Sequence, residues 1–291
     1  MKFKLSFLIP FLVFGCTLDD FMFNQSKLDH YDFDDYTGEV DFRLDSSYFI
    51  PDSLIHLFFL PSGEDQSLIA CTYIGNLDEI STDTVILYCH GNKDHMDFYW
   101  PRAKLLANLR SDQNRYGLLY FDYFGYGMSA GTPSENGLNE NTESALNWLK
   151  SQGLTQDRLV IYGFSLGSYP SIYQASYSEV MKPNKLILEA PIGTSQAIID
   201  QSTVLSHPGG FFMEADFNNI HNMKAFTGDL LLFHGGEDKF LPFKIHGQSL
   251  YNAHDVGFKQ LKLIPNADHG DLPKMMGFEL YLEEIRNFIQ R

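Results

Sequence analysis

A serine flanked by glycines, Gly163-Phe164-Ser165-Leu166-Gly167, lies between the apolar run RLVIYGF and the helical segment SLGSYPSIYQAS. On a tight strand-to-helix turn a serine hydroxyl is pushed out of the sheet, and small residues on either side leave space for close backbone approach. A helix starting there aims free amides and the positive end of its dipole at the same point, which favours charge developing on an oxyanion. The hydroxyl still needs a base to take its proton, and the base needs a carboxylate to hold its tautomer. Asp238 follows the run DLLLFHG, and His269 follows KQLKLIP in the stretch NADHGD. Ser165, Asp238 and His269 thus stand in the chain order nucleophile, acid, base, each just past an apolar run.

Other polar residues compete for these roles. Glu189, at the end of KLILEA, is the rival acid, and Glu237 is expected to point away from the base. Of the ten histidines, His90 closes an apolar run and is expected to fix the loop after it, whereas His246, within FKIHGQSLYNA, is expected to pack at the surface. Asp122, in YFDYFGYG, reads as a loop-ordering residue. The stretch HGNKDH brings His90, Asp94 and His95 close together, and these are metal-ligand types, but no second cluster at a matching position repeats them. Neither a metal nor a cofactor is expected.

The elements that must position these groups follow from hydrophobic pattern. Two β-rich runs, SLIHLFFL and SLIACTYI, flank the turn PSGEDQ and predict a hairpin. From residue 84 apolar runs alternate with helical segments: TVILYC then WPRAKLLANLR, YGLLYFD then ENTESALNWLKSQG, and RLVIYGF then SLGSYPSIYQAS. That alternation predicts an α/β fold with a mostly parallel sheet covered by helices on both faces. Three more strands follow, KLILEA, DLLLFHG and KQLKLIP, and Phe278, Leu282, Ile285 and Ile289 mark a closing amphipathic helix. Ligands in such sheets bind beyond the carboxyl ends of the strands, where the candidate residues fall.

The 291 residues suffice for one long α/β domain, and 44% hydrophobic residues exclude a disordered chain. With 21 Lys and Arg against 37 Asp and Glu, the formal charge of -16 repels phosphate backbones, so nucleic acid is not an expected partner. Cys71 and Cys89 lie in apolar runs and read as small buried hydrophobes, with no disulfide framework implied.

Taken together, the HGN at 90 to 92, FDYFGYGMSAGTPSE, GFSLGS, HGGEDKFLP and ADHGDL resemble the α/β-hydrolase superfamily over roughly residues 53 to 290. More narrowly they are similar to the Bem46-like serine hydrolases with little or no cap domain. The resemblance implies an oxyanion hole made by the backbone amides of Asn92 and Leu166, and cleavage of a small acyl substrate, an ester or thioester, through an acyl-enzyme. A peptidase or amidase on the same three residues, and a noncatalytic ligand-binding lipoprotein, are the other readings. Where the family often continues HGN with Ala-Gly, this chain has Lys93-Asp94, which bears on the width of the hole. Residues 191 to 228 exceed an ordinary connection and contain Gly209, Gly210, Phe211, Phe212 and Met213; a small apolar lid and a surface loop packing its own aromatics are equally open.

The chain opens with Lys2 and Lys4, then a short apolar stretch from Leu5 to Phe14, which is about half of a membrane span. Residues 1 to 15 therefore read as an export signal. Val13, Gly15 and Cys16 resemble the lipobox of bacterial lipoproteins, although Phe14 is larger than usual there. This implies acylation of Cys16, attachment of an exported protein to a cell-envelope membrane, a tether and lead-in over 16 to 52, and a hydrolase domain over 53 to 291.

Overall fold

A computed structural model describes residues 23–39, 42–110, 115–201 and 216–291. The export signal and Cys16 lie outside the described residues. The centre is an eight-stranded sheet: β1 (Ile55–Ser62), β2 (Ser67–Ile74), β3 (Thr84–Cys89), β4 (Tyr116–Phe121), β5 (Leu159–Phe164), β6 (Lys185–Glu189), β7 (Asp229–Gly235) and β8 (Lys259–Ile264). Their spatial order is β8-β7-β6-β5-β3-β4-β2-β1. β1 and β2 form the expected antiparallel hairpin and β2 joins β4 antiparallel; every pairing from β4 through to β8 is parallel.

Burial on both faces explains why the central strands are apolar without alternation. In β3, Val85, Leu87 and Cys89 enter one core layer while Ile86 and Tyr88 enter the other. All six residues of β5 are buried, each large apolar side chain contributing about 1.5–3 kcal/mol. Burial pushes the Cys89 thiol up to about 12, so this cysteine is an inert core residue.

The helices are α1 (Trp100–Ala107), α2 (Glu135–Ser151), α3 (Ser168–Tyr177), α4 (Ser195–Gln201), α5 (Asn219–Met223), α6 (Gly247–Ala253), α7 (Leu272–Met276) and α8 (Phe278–Gln290). α2 begins five residues before the expected segment ENTESALNWLKSQG because Ser134 caps it, its hydroxyl accepting the Gly137 amide at 3.0 Å. α8 buries Tyr281, Leu282, Ile285 and Phe288 against the sheet, so Phe288 supplants the expected Ile289, which is only partly buried.

Residues 23–39 pack onto the carboxyl edge of the sheet. Asn24–Gln25 pair in parallel with Lys93–Asp94, and Asp97 accepts the amides of Asp32 at 2.7 Å and Phe33 at 3.0 Å. Trp100 donates its indole N–H to Asp34 at 2.8 Å. The lead-in is therefore part of the wall around the strand ends.

Candidate active site

Ser165 sits on the turn between β5 and α3 with φ +50°, a conformation that costs an L residue about 1–2 kcal/mol. The flanking glycines have a steric reason. A Cβ on Gly167 would lie 2.0 Å from the Cys89 carbonyl oxygen, and one on Gly163 would lie 2.6 Å from Ser171 Oγ. The turn is stitched by Ser168, whose hydroxyl donates to the Ser165 carbonyl at 2.6 Å and accepts the Ile192 amide at 3.0 Å.

His269 Nε2 lies 2.9 Å from Ser165 Oγ, and its Nδ1 lies 2.8 Å from Asp238 Oδ2. Three residues from separate strand ends thus form one hydrogen-bonded relay. Asp238 is buried, and its other oxygen accepts the Leu241 amide at 2.7 Å. His234, the last polar side chain of β7, bonds through Nε2 to the Leu241 carbonyl at 2.7 Å and lies 3.5 Å from Asp238 Oδ2. Burial holds His234 below the usual imidazole range, so it braces the acid loop as a neutral ring. The His269 ring is flanked by Phe164 at 5.4 Å and by the edge of Phe240 at 5.0 Å.

The loop after β3 carries Asn92. Leu166 follows Ser165 at the start of the turn into α3, so the two expected oxyanion residues stand on the loops after β3 and β5, which are neighbouring strands. The Asn92 side chain fixes the loop: its Oδ1 accepts the Asn24 amide at 2.9 Å and the Tyr126 hydroxyl at 2.7 Å. His90 is buried, with Nε2 3.2 Å from Asp122 Oδ1 and Nδ1 2.7 Å from the Gly91 carbonyl, while Tyr123 donates to the His90 carbonyl at 2.9 Å. Tyr31 of the lead-in donates to the second Asp122 oxygen at 2.5 Å, and burial raises its phenol far above its ordinary range. Asp94 takes φ +53°, and the Lys93 ammonium rests over the Phe98 ring at 4.3 Å.

Glu189 lies elsewhere in its chemistry: it is fully buried and holds Arg102, Tyr162 and, at 2.9 Å, Tyr281. His246 corrects the sequence expectation. It is buried at the start of α6, its Nδ1 accepts the Gly193 amide at 3.0 Å, and burial lowers it to about 4. The loop after β6 folds back over it, a long-range contact that local pattern does not encode.

Beside His269 opens a cleft of about 620 Å³ lined by Tyr36, Phe42, Lys93, Phe98, Asp268 and Gly270 among others. Its lead-in residues, together with Asn24, Tyr31, Arg102 and His234, went unassigned at the sequence level. His234 and Arg102 carried a signal, since each is a polar residue inside an apolar pattern. In 191–228 the described ends meet: Thr194 bridges Asn218, and the Ser195 amide donates to the Phe217 carbonyl at 2.9 Å. The glycines and aromatics that suggested a lid, 209 to 213, lie outside the described residues. Among the described residues no group of three His, Cys, Asp or Glu is placed to hold a metal, and no helix is long and apolar enough to cross a membrane.

The sheet order, the elbow at Ser165 and the polar strand ends define the α/β-hydrolase fold. A family model described as alpha/beta hydrolase fold matches residues 84–202. The chain is 28% identical over 207 residues to the uncharacterized protein YfhR of Escherichia coli strain K12, covering 70% of this chain and 69% of that protein. It is also 28% identical over 225 residues to the alpha/beta hydrolase domain-containing protein aho-3 of Caenorhabditis elegans, covering 77% and 62%. Among solved structures, the Pyrococcus furiosus esterase Pf2001 superposes with a TM-score of 0.66 at 14% identity, covering 93% of this chain and 98% of that one.

Proposed function

We propose that this protein is a serine hydrolase of the Bem46-like, minimally capped kind, cleaving an ester or thioester through an acyl-enzyme. The observation that carries the reading is the unbroken relay from Ser165 Oγ through His269 to Asp238, with both links below 3 Å. His269 takes the Ser165 proton as the oxygen attacks the carbonyl carbon, and Asp238 keeps the imidazole in the required tautomer and stabilises its charge. The amides of Asn92 and Leu166 receive the oxyanion, a contribution of about 3–4 kcal/mol for a single donor in related chemistry. The imidazolium then protonates the leaving group, and water cleaves the acyl-enzyme by the same route in reverse.

The test is a fluorophosphonate probe on the mature protein followed by matched ester and amide substrates. Wild type should label at Ser165, and Ser165→Ala should lose labelling and about 10⁶-fold of kcat while staying folded. Undiminished ester turnover in that variant would remove Ser165 from its role, and faster amide than ester turnover would move the protein to the peptidase class. Absence of both labelling and turnover in the wild type would favour the ligand-binding reading. Export and anchoring through Cys16 belong to the same proposal: metabolic palmitate should enter the wild type and not Cys16→Ala, and equal labelling of both would refute the anchor.

A further inference from the structure

Arg102 is a fully buried arginine on α1. Its Nη1 donates to Glu189 at the end of β6, and its Nη2 donates to Glu39 Oε1 at 2.9 Å and to the Gly270 carbonyl at 3.0 Å. The guanidinium also lies over the Phe164 ring at 4.1 Å and near the Phe42 ring at 4.9 Å. Phe164 precedes the serine of the relay, and Gly270 follows its histidine. One rigid cation therefore reaches the chain neighbours of both.

The loop that carries His269 is anchored at its start by the Glu237 amide, which donates to the Ala267 carbonyl at 2.9 Å, and at either end by the buried Ala267 and Leu272; between them the backbone at Gly270 depends on other contacts. A Cβ at Gly270 would meet nothing within 4 Å, so side-chain packing does not hold the backbone there. Across 268–271 the holding contacts are hydrogen bonds: Asp271 accepts the Asp268 amide at 2.7 Å, Asp268 accepts the His269 amide at 2.8 Å, and Gly270 accepts from Arg102. The first two are internal to the loop. The Arg102 bond alone among these ties it to the sheet, because Glu189, the arginine's partner, is itself fixed by Tyr162 and Tyr281. Charge-assisted bonds are roughly twice as strong as neutral ones, and a guanidinium offers its donors in a fixed fork.

We propose that Arg102 is the positioning residue of the relay, holding the base loop at Gly270 against the strand-end anchor Glu189, with Glu39 of the lead-in completing its coordination. This rests on the hydrolase reading above. The assignment makes the lead-in a working part of the site, since Glu39 shares the same Nη2 as the Gly270 carbonyl.

Arg102→Lys keeps the charge but loses the fork that bonds Glu189 and Gly270 together. A misplaced base should lower kcat on a neutral short-chain ester about 10- to 100-fold and leave KM within about twofold. The downfield proton resonance of His269 Nδ1–H, sharp when bonded to Asp238, should broaden or vanish while the near-ultraviolet circular dichroism stays that of the parent. A purely structural arginine would leave that resonance intact in the folded variant. Retention of either the parental kcat or the parental resonance overturns the proposal. Should Arg102→Lys fail to fold, Glu39→Gln leaves Arg102 and Glu189 in place and should lower kcat about fivefold with a broadened resonance; parental values there overturn it equally. If the wild type neither labels with the fluorophosphonate nor turns over esters, the hydrolase reading fails, and the resonance still decides what Arg102 does to the base.

Discussion

Two carboxylates stand at the ends of neighbouring strands, Glu189 on β6 and Asp238 just past β7, and both are closed to solvent. They differ in what surrounds them. Glu189 is filled by a guanidinium and two phenols, so its oxygens are committed to holding Arg102, Tyr162 and Tyr281. Asp238 spends one oxygen on the Leu241 amide and presents the other to His269 at 2.8 Å. A strand end and a buried carboxylate do not together make an acid of a relay; the partner does. Glu189 works instead as a fixed foundation beneath the loops.

The comparison can be broken by exchange of amide for carboxylate. Asp238→Asn should lower kcat about 10⁴-fold with the fold intact, because the imidazole loses the partner that sets its tautomer. Steady-state ester kinetics beside a melting curve checks this. Glu189→Gln should act chiefly on stability, costing about 3–5 kcal/mol by leaving the buried Arg102 underpaired, as read by denaturant unfolding. Its folded fraction should keep far more turnover than Asp238→Asn. The reverse ranking of the two variants would exchange their roles.

A smaller effect sharpens the contrast between the acid loop and its surroundings. His246 titrates near 4 in the folded protein because of burial, against an ordinary value of 6.5. Between those values the unfolded chain binds more protons than the folded one, so stability rises with pH across that window. The melting temperature should fall as pH drops from about 6.5 towards 4, and His246→Asn, whose amide oxygen can take the Gly193 N–H, should flatten that slope. An unaltered slope would show that other groups carry the acid sensitivity.

Much of this architecture was legible in the sequence because it is periodic. Strands buried on both faces read as continuous apolar runs, and the glycines around Ser165 marked a turn whose crowding against Cys89 and Ser171 only glycine can meet. The residues that hold the relay in place were not legible. Arg102 meets Gly270 across 168 positions, and Tyr31 meets Asp122 across 91. Single hydrogen bonds of this kind leave no repeat in the chain. The lead-in shows the same thing: its aromatics and acids follow no period because each docks individually, Asp34 on Trp100 and Asn24 on the Asn92 side chain.

That last clasp sets a distance. Only seven peptide steps separate Cys16 from Phe23, and a chain spans at most about 3.6 Å per residue. With acyl groups at Cys16, Phe23, where the lead-in joins the carboxyl edge of the sheet, would be leashed within about 25 Å of the bilayer. Substrates embedded in, or tethered to, that same surface would then be met at high local concentration, whereas freely diffusing ones would gain nothing from the arrangement.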